Sequence, residues 1–270
     1  AKYDDMTIAA GGSSVNDGLE IGDILTVEGE HSNTGTSIWN QVTIADGATG
    51  TNGTDLGDSP KGNEEGFASE SVEIIGSDAA DEVFDVAGDY TNHGILDASK
   101  AEDTTVGGSI TNDGQAKYDD MTIAAGGSSV NDGLEIGDIL TVGGEHTNTG
   151  TSIWNNVTVG EGGAASNGEA LAPDAPKGHE EGFESDSVIV IGSADDDNNE
   201  FVIDGNYDNN GKLDASETET TTVGGDLTNS GQAWYDDMTV ENGGSSDNQG
   251  FERGDILTVE KGGEHTNTGT

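Results

Sequence analysis

The stretch AKYDDMTIAAGGSSVNDGLEIGDILTV fills residues 1–27 and returns letter for letter at 116–142. A diverged version, AWYDDMTVENGGSSDNQGFERGDILTV, opens at Ala233. The chain therefore divides into blocks 1–115, 116–232 and a truncated 233–270. Duplication at this length means that the fold of one block is the fold of the next. The chain reads as one continuous array over 1–270 that begins and ends inside a repeat, as a segment of a longer or processed protein would.

A shorter period runs inside each block. Asn-x-Gly recurs at Asn16, Asn33, Asn92, Asn112, Asn131, Asn148, Asn209, Asn229, Asn248 and Asn267, with adjacent Asn-Gly at Asn52 and Asn167. Most anchors stand 17 to 20 residues apart, and the two longer gaps, of 40 and 42, are expected to hold two units each. One turn signal every twenty residues or so marks a solenoid. Each unit carries a short strand such as MTI, LTV, VTI or TTV, whose alternation sends its outer two residues inward and its threonine outward. Thr7, Thr26, Thr43, Thr105, Thr122 and Thr141 should form that outer column. Glycine, threonine, asparagine and valine dominate and no 3.6-residue stripe exists, so helix is excluded. The expected fold is all-β, a parallel β-helix of about 14 coils, with corners at Asn-x-Gly because both residues tolerate positive φ. Two segments, 53–71 and 168–187, hold all three prolines and share Pro-Lys-Gly-x-Glu-Glu-Gly-Phe. They are expected to project from the wall as loops, with Phe67 and Phe183 available for contacts.

Composition narrows the function. Among 270 residues, 54 are acidic and 8 basic, a formal charge of -46. Such a chain repels nucleic acid and anionic membrane surfaces. Cysteine is absent, which removes disulfides and thiolate metal sites. No run of about 18 apolar residues is present, so no helical span or membrane insertion is expected.

The acidic residues form a pattern. Two positions before each core strand stand Asp4, Asp23, Asn40, Glu102, Asp119, Asp138, Asn155, Glu219, Asp236 and Asp255, with a second row at Asp5, Asp120 and Asp237. Stacked at about 4.8 Å, neighbouring carboxylates repel by roughly 0.9 kcal/mol even at water's dielectric. Structural calcium bridging, or high salt, would relieve them. Asp4, Asp23, Asp119, Asp138, Asp236 and Asp255 are the candidate ligands. Residues 204–217, DGNYDNNGKLDASE, resemble an EF-hand loop and add Asp208, Asn210, Asp214 and Glu217. In the tandem copy, however, Lys100 stands where Glu217 does and the flanks are strand-like, so the segment reads first as one more corner.

Other chemistry is thin. His31, His146 and His265 recur in Glu-His-[Ser/Thr]-Asn-Thr-Gly-Thr, and a motif repeated in every block points to structure before catalysis. A polysaccharide-cleaving β-helix would gather unlike groups in one cleft, whereas this chain spreads like groups evenly. An ice-binding solenoid would show paired threonines on each strand, and here each strand has one.

Coils written T-[IV]-x-x-G-G-x-x-x-N-x-G resemble the β-helical repeats of large bacterial adhesins and filamentous-haemagglutinin-type proteins, over nearly all the chain outside the two loops. The resemblance implies a secreted, rod-like, non-enzymatic protein at a bacterial or archaeal surface. It implies self-association into a fibre and surface polysaccharide as a ligand. It also implies, as the alternative, the stalk of a repeat adhesin whose binding tip lies elsewhere. No receptor residue carries over.

Overall fold

The computed structural model describes residues 1–55, 57, 59–77, 82–172, 174–194 and 198–270. Leu56, Asp58 and Pro173, which belong to the two inserted segments, lie outside the described residues. The chain is an all-β parallel β-solenoid of about 13 turns, with no helix among the described residues. Two compact units, Ala1–Asp138 and Ile139–Thr270, share one plan.

Each turn lays down three short strands. The first has four residues and ends in an anchor asparagine. In the first unit these are Ser13–Asn16, Glu30–Asn33, Thr49–Asn52, Asp89–Asn92, Ser109–Asn112 and Ser128–Asn131. They pair in parallel with asparagine opposite asparagine throughout. The second unit repeats this from Glu145–Asn148 to Glu264–Asn267. The other two strands run on as one element where the bend between them is tight, as in Leu19–Val27 and Thr36–Ile44. They part where residues are added, as in Val72–Gly76 and Val83–Val86. Residues 19–22 pair with 36–39 and 24–27 with 41–44, which leaves Asp23 and Asn40 at the bend.

The third strand alternates as its sequence requires. Leu25, Val27, Val42, Ile44, Phe84 and Val86 are almost fully buried, while Thr26 and Thr43 between them are half-exposed. The outer threonine column is in register at Thr7, Thr26 and Thr43, is interrupted by Asp85, and resumes at Thr105 and Thr122. Burying such aliphatic side chains contributes about 1.5–3 kcal/mol each, which offsets the ordering of a glycine-rich backbone.

Two expectations are corrected. First, the two long gaps hold one turn each. Asn52 and Asn92 are bonded neighbours in the stack, as are Asn167 and Asn209, so the added length is the inserted segment. Second, the glycine of Asn-x-Gly is not there for positive φ. Positive φ is found instead at Gly11, Gly47, Gly126, Gly162, Gly243 and Gly262 in the tight turns before six of the first strands, and at Gly53 and Gly168 directly after Asn52 and Asn167. At Gly35, Gly114 and Gly250 the demand is close approach: a Cβ would sit 2.2, 2.1 and 2.1 Å from the carbonyl oxygen of Gly18, Gly94 and Gly231. The two inserted segments, which carry no strand or helix among their described residues, are also fastened back to the wall. Gly62 N–H donates to the Asp113 carbonyl at 2.9 Å and Gln115 Nε2 donates back to the Gly62 carbonyl at 3.0 Å. Gly178, Ser230 and Gln232 repeat this at 2.9 and 2.9 Å. Each segment folds down onto a corner two turns further along.

Candidate cation site at the acidic corner

The bend between the second and third strands positions the acidic rows. Backbone pairing stacks these corners: the amide of Asp23 donates to the Asp4 carbonyl at 2.7 Å, and that of Asp255 to the Asp236 carbonyl at 2.8 Å. The corner side chains face outward, with Asp4, Asp23 and Asp255 exposed and Asp236 half-buried.

Among the described residues one group of carboxylates comes within shared-ligand distance. Asp119, Asp120 and Asp138 each offer an oxygen within 4.8 Å of the others, with Asp119 and Asp138 exposed and Asp120 half-buried. Partial burial, then the charges of Asp138 and Asp103, raise the Asp119 carboxyl above its ordinary range. Three hard oxygen donors of like charge can hold a metal ion, and oxygen-only ligation suits calcium or magnesium rather than zinc.

The other candidates are placed differently. Asp4, Asp5 and Asp23 hold the same places in an identical sequence and do not converge to ligand distance; Asp23 Oδ1 accepts a hydrogen bond from Asn40 Nδ2 at 2.7 Å. Asp236 is half-buried and Asp255 exposed, without a third carboxylate at ligand distance. The EF-like residues do not close around a point. Asp208 faces outward on Asn206–Asn209, between Ser166 and Thr228. Asn210 lies at the corner. Asp214 Oδ1 is occupied by the amide and hydroxyl of Ser216 at 3.2 and 2.6 Å. Glu217 ends the next strand opposite Gly192 and shares the rim of a polar cleft with Glu219 and Asp236.

Two features escaped the sequence reading. One is that the anchor asparagines form a hydrogen-bonded ladder. In the first unit each Nδ2 donates to the next Oδ1, from Asn16 through Asn33, Asn52, Asn92 and Asn112 to Asn131, at 2.7–2.9 Å. The same Nδ2 donates to a backbone carbonyl of the next turn, as from Asn92 to Gln115 at 2.9 Å. Asn148, Asn167, Asn209, Asn229, Asn248 and Asn267 do the same in the second unit at 2.8–3.0 Å. The signal was available: a chain with 54 acidic residues never places aspartate at an anchor. The other is that acids and histidines occur inside. Glu20, Glu73, Glu135, His31 and His146 are buried. His31 Nε2 lies 3.9 Å from Glu20 Oε2, so the histidine does have a glutamate beside it. Burial pushes His31 and His146 down to about 4.

No protein-family model, curated protein or solved structure matches the chain. What stands is a β-solenoid repeat protein, and no relative identifies it as an adhesin or haemagglutinin.

Proposed function

We propose that the chain is a structural segment of an extracellular or cell-surface fibre, an acidic β-solenoid shaft without catalytic activity whose copies self-associate. One observation carries this reading. The residues that return at every turn are those that bind one turn to the next: the ladder asparagines, the close-approach glycines and the inward apolar side chains. Outward positions vary, as Thr43 gives way to Asp85 and then to Thr105. A bacterial or archaeal source and a surface polysaccharide ligand belong to the same proposal and rest on the resemblance of the repeats. Negative-stain images of the native protein should show rods or filaments; a field of compact globular monomers would sink the reading.

The second reading is the stalk of a repeat adhesin, favoured by the identity of 1–27 and 116–142, which lets blocks be added without altering the corners. The full gene separates the two: a stalk has many more blocks, a polymerising subunit few. In either case we assign a structural calcium ion to Asp119, Asp120 and Asp138, where the corner brings three carboxylates together.

A further inference from the structure

The interior of the first unit contains a polar lane. Register places Glu20, Ser37, Glu73 and Leu96 one above another on the second strand of successive turns, and Glu20 and Glu73 are 4% and 1% exposed. The Tyr90 hydroxyl donates to Glu73 Oε2 at 2.6 Å, and Trp39 Nε1 donates to Ser37 Oγ at 2.9 Å. At the other end His31 stands 3.9 Å from Glu20, and neither its ring nitrogens nor Glu20 Oε2 has a hydrogen-bond partner.

The groups facing these acids are few. Glu73 is faced by Tyr90 and by the charge of Glu20; its register neighbours Ser37 and Leu96 are neutral. Glu20 is faced by His31 and by the α-ammonium of Ala1, and Tyr118, on the strand Gln115–Ile123, acts on Tyr90. A carboxylate withdrawn from water, with a like charge nearby and one hydroxyl as donor, is costly to ionise.

We infer that the Glu20–Glu73 lane, closed by His31 and Tyr90, is a proton lock: the turns from Leu19 to Asn92 pack around neutral carboxyl groups and loosen when those protons leave. Burial, opposed by the Tyr90 hydrogen bond and aided by Glu20, raises Glu73 to about 7, and burial raises Glu20. A folded chain that keeps a proton the unfolded chain has released loses stability as pH rises. The loss starts near the ordinary value of 4.5 and is complete once pH passes about 7. Glu135, at the position of Glu20 in the second block, is also buried and raised to about 8. Mildly acidic water therefore favours the closed turns, and a rise in pH opens them from within.

The test compares the full chain with Glu73→Gln, whose amide oxygen still accepts from Tyr90. Hydrogen exchange is followed in the segments Val72–Gly76 and Asp89–Asn92 from pH 5 to 8, corrected for intrinsic exchange. The expected result is protection that between pH 5 and 7 falls by about tenfold per unit more in the native chain than in the variant, the slope of one linked proton, with the two slopes converging above about pH 7. Equal slopes would overturn the lock and assign the pH response to surface charge. Should the variant not fold, the carboxyl carbons of glutamate-labelled protein give a second reading. In protein with Glu135 and Glu252 replaced by glutamine, a neutral-acid resonance persisting at pH 6 supports the lock, and its absence at that pH overturns it.

Discussion

Asn52 and Asn92 stand forty residues apart in the chain and are adjacent in space, with Asn52 Nδ2 donating to Asn92 Oδ1 at 2.8 Å. Asn92 passes the bond on to Asn112 at 2.7 Å, so one side chain is acceptor to one turn and donor to the next. An amide can do both; a carboxylate can only accept. The ladder therefore sets the stacking register even where an inserted segment intervenes.

Replacing Asn92 by alanine leaves the Asn52 amide, the Asn112 oxygen and the Gln115 carbonyl each short of a partner in the interior, a loss of about 3 kcal/mol or more. Asn92→Asp keeps the acceptor and loses the donor, and it buries a charge. Its urea midpoint should lie well below the native one at pH 7 and recover in part at pH 4.5, where the acid can donate. A midpoint for Asn92→Asp equal to the native one at pH 7 would remove the ladder from the account of stability.

The glycines give a paired test on one motif. Gly114 faces the Gly94 carbonyl, which an added Cβ would approach to 2.1 Å, whereas an added Cβ at Gly18 would have nothing within 4 Å. Gly114→Ala should cost about 1–3 kcal/mol through forced separation of two turns. Gly18→Ala should change stability by no more than about 0.5 kcal/mol. Thermal melts of the two variants side by side decide it, and equal losses would point to conformational freedom as the reason for glycine.

The repeat and the alternation made the solenoid legible before any coordinates, because period-2 strands at LTV and VTI with a corner every twenty residues admit few other packings. The turn count was not legible. A gap of forty residues between Asn52 and Asn92 reads equally as two short turns or as one turn with an insertion, and only the cross-turn bond distinguishes them. The corner rows at Asp23 and Asp138 were found by stacking alone. That the carboxylates come within shared-ligand distance at Asp138 and not at Asp23 was not, since the two copies are identical in sequence there. The interior acids were hidden by LEIG, where Leu19 and Ile21 suggest the buried face and the pleat buries Glu20 instead, leaving Leu19 53% exposed.

The inserted segment 53–71 is fastened at its middle. Lys61 Nζ reaches Asp113 at 3.1 Å and Asp132 at 3.4 Å, and Gly62 lies so close that an added Cβ would meet the Gly114 carbonyl oxygen at 1.8 Å. Lys61→Ala removes partly exposed ion pairs and should cost less than about 1 kcal/mol. Gly62→Ala should release the segment while the turns stay folded. Limited proteolysis should then cut within 53–71 much faster than in the native chain, at unchanged circular dichroism. Unchanged cleavage would mean that the contact does not hold the segment down.

Acid should weaken the chain through its buried histidine. His31 is held at about 4 by burial, against 6.5 for a free side chain. Between those values the unfolded chain binds a proton that the folded chain refuses, so stability falls as pH drops from about 6.5 through 4. The shift corresponds to about 3 kcal/mol at full effect. The interior acids act in the opposite sense, so the comparison must be with His31→Gln, whose urea midpoint should fall less between pH 7 and 4.5. Parallel falls in the two proteins would show that His31 gains its proton without unfolding.

Calcium should stabilise the first unit beyond what ionic strength explains. Folding brings Asp119, Asp120 and Asp138 within 4.8 Å of one another, a group the unfolded chain does not hold together. An ion bound only by the folded form stabilises by RT ln(1 + [L]/Kd), about 2.7 kcal/mol at a hundredfold excess over Kd. The three carboxylate pairs repel by roughly 0.9 kcal/mol each at one strand spacing in water, so an ion at that excess offsets the repulsion of the whole corner. Sodium screens every exposed carboxylate alike and needs tens to hundreds of millimolar to do so. Thermal melts in chelator, in millimolar calcium and in sodium chloride of matched ionic strength should therefore diverge, with the highest midpoint in calcium. In the variant with Asp119, Asp120 and Asp138 all replaced by asparagine, the excess over sodium should vanish while the sodium response remains. If calcium raises the native midpoint no further than matched sodium does, the corner carboxylates are a solvated face and hold no ion.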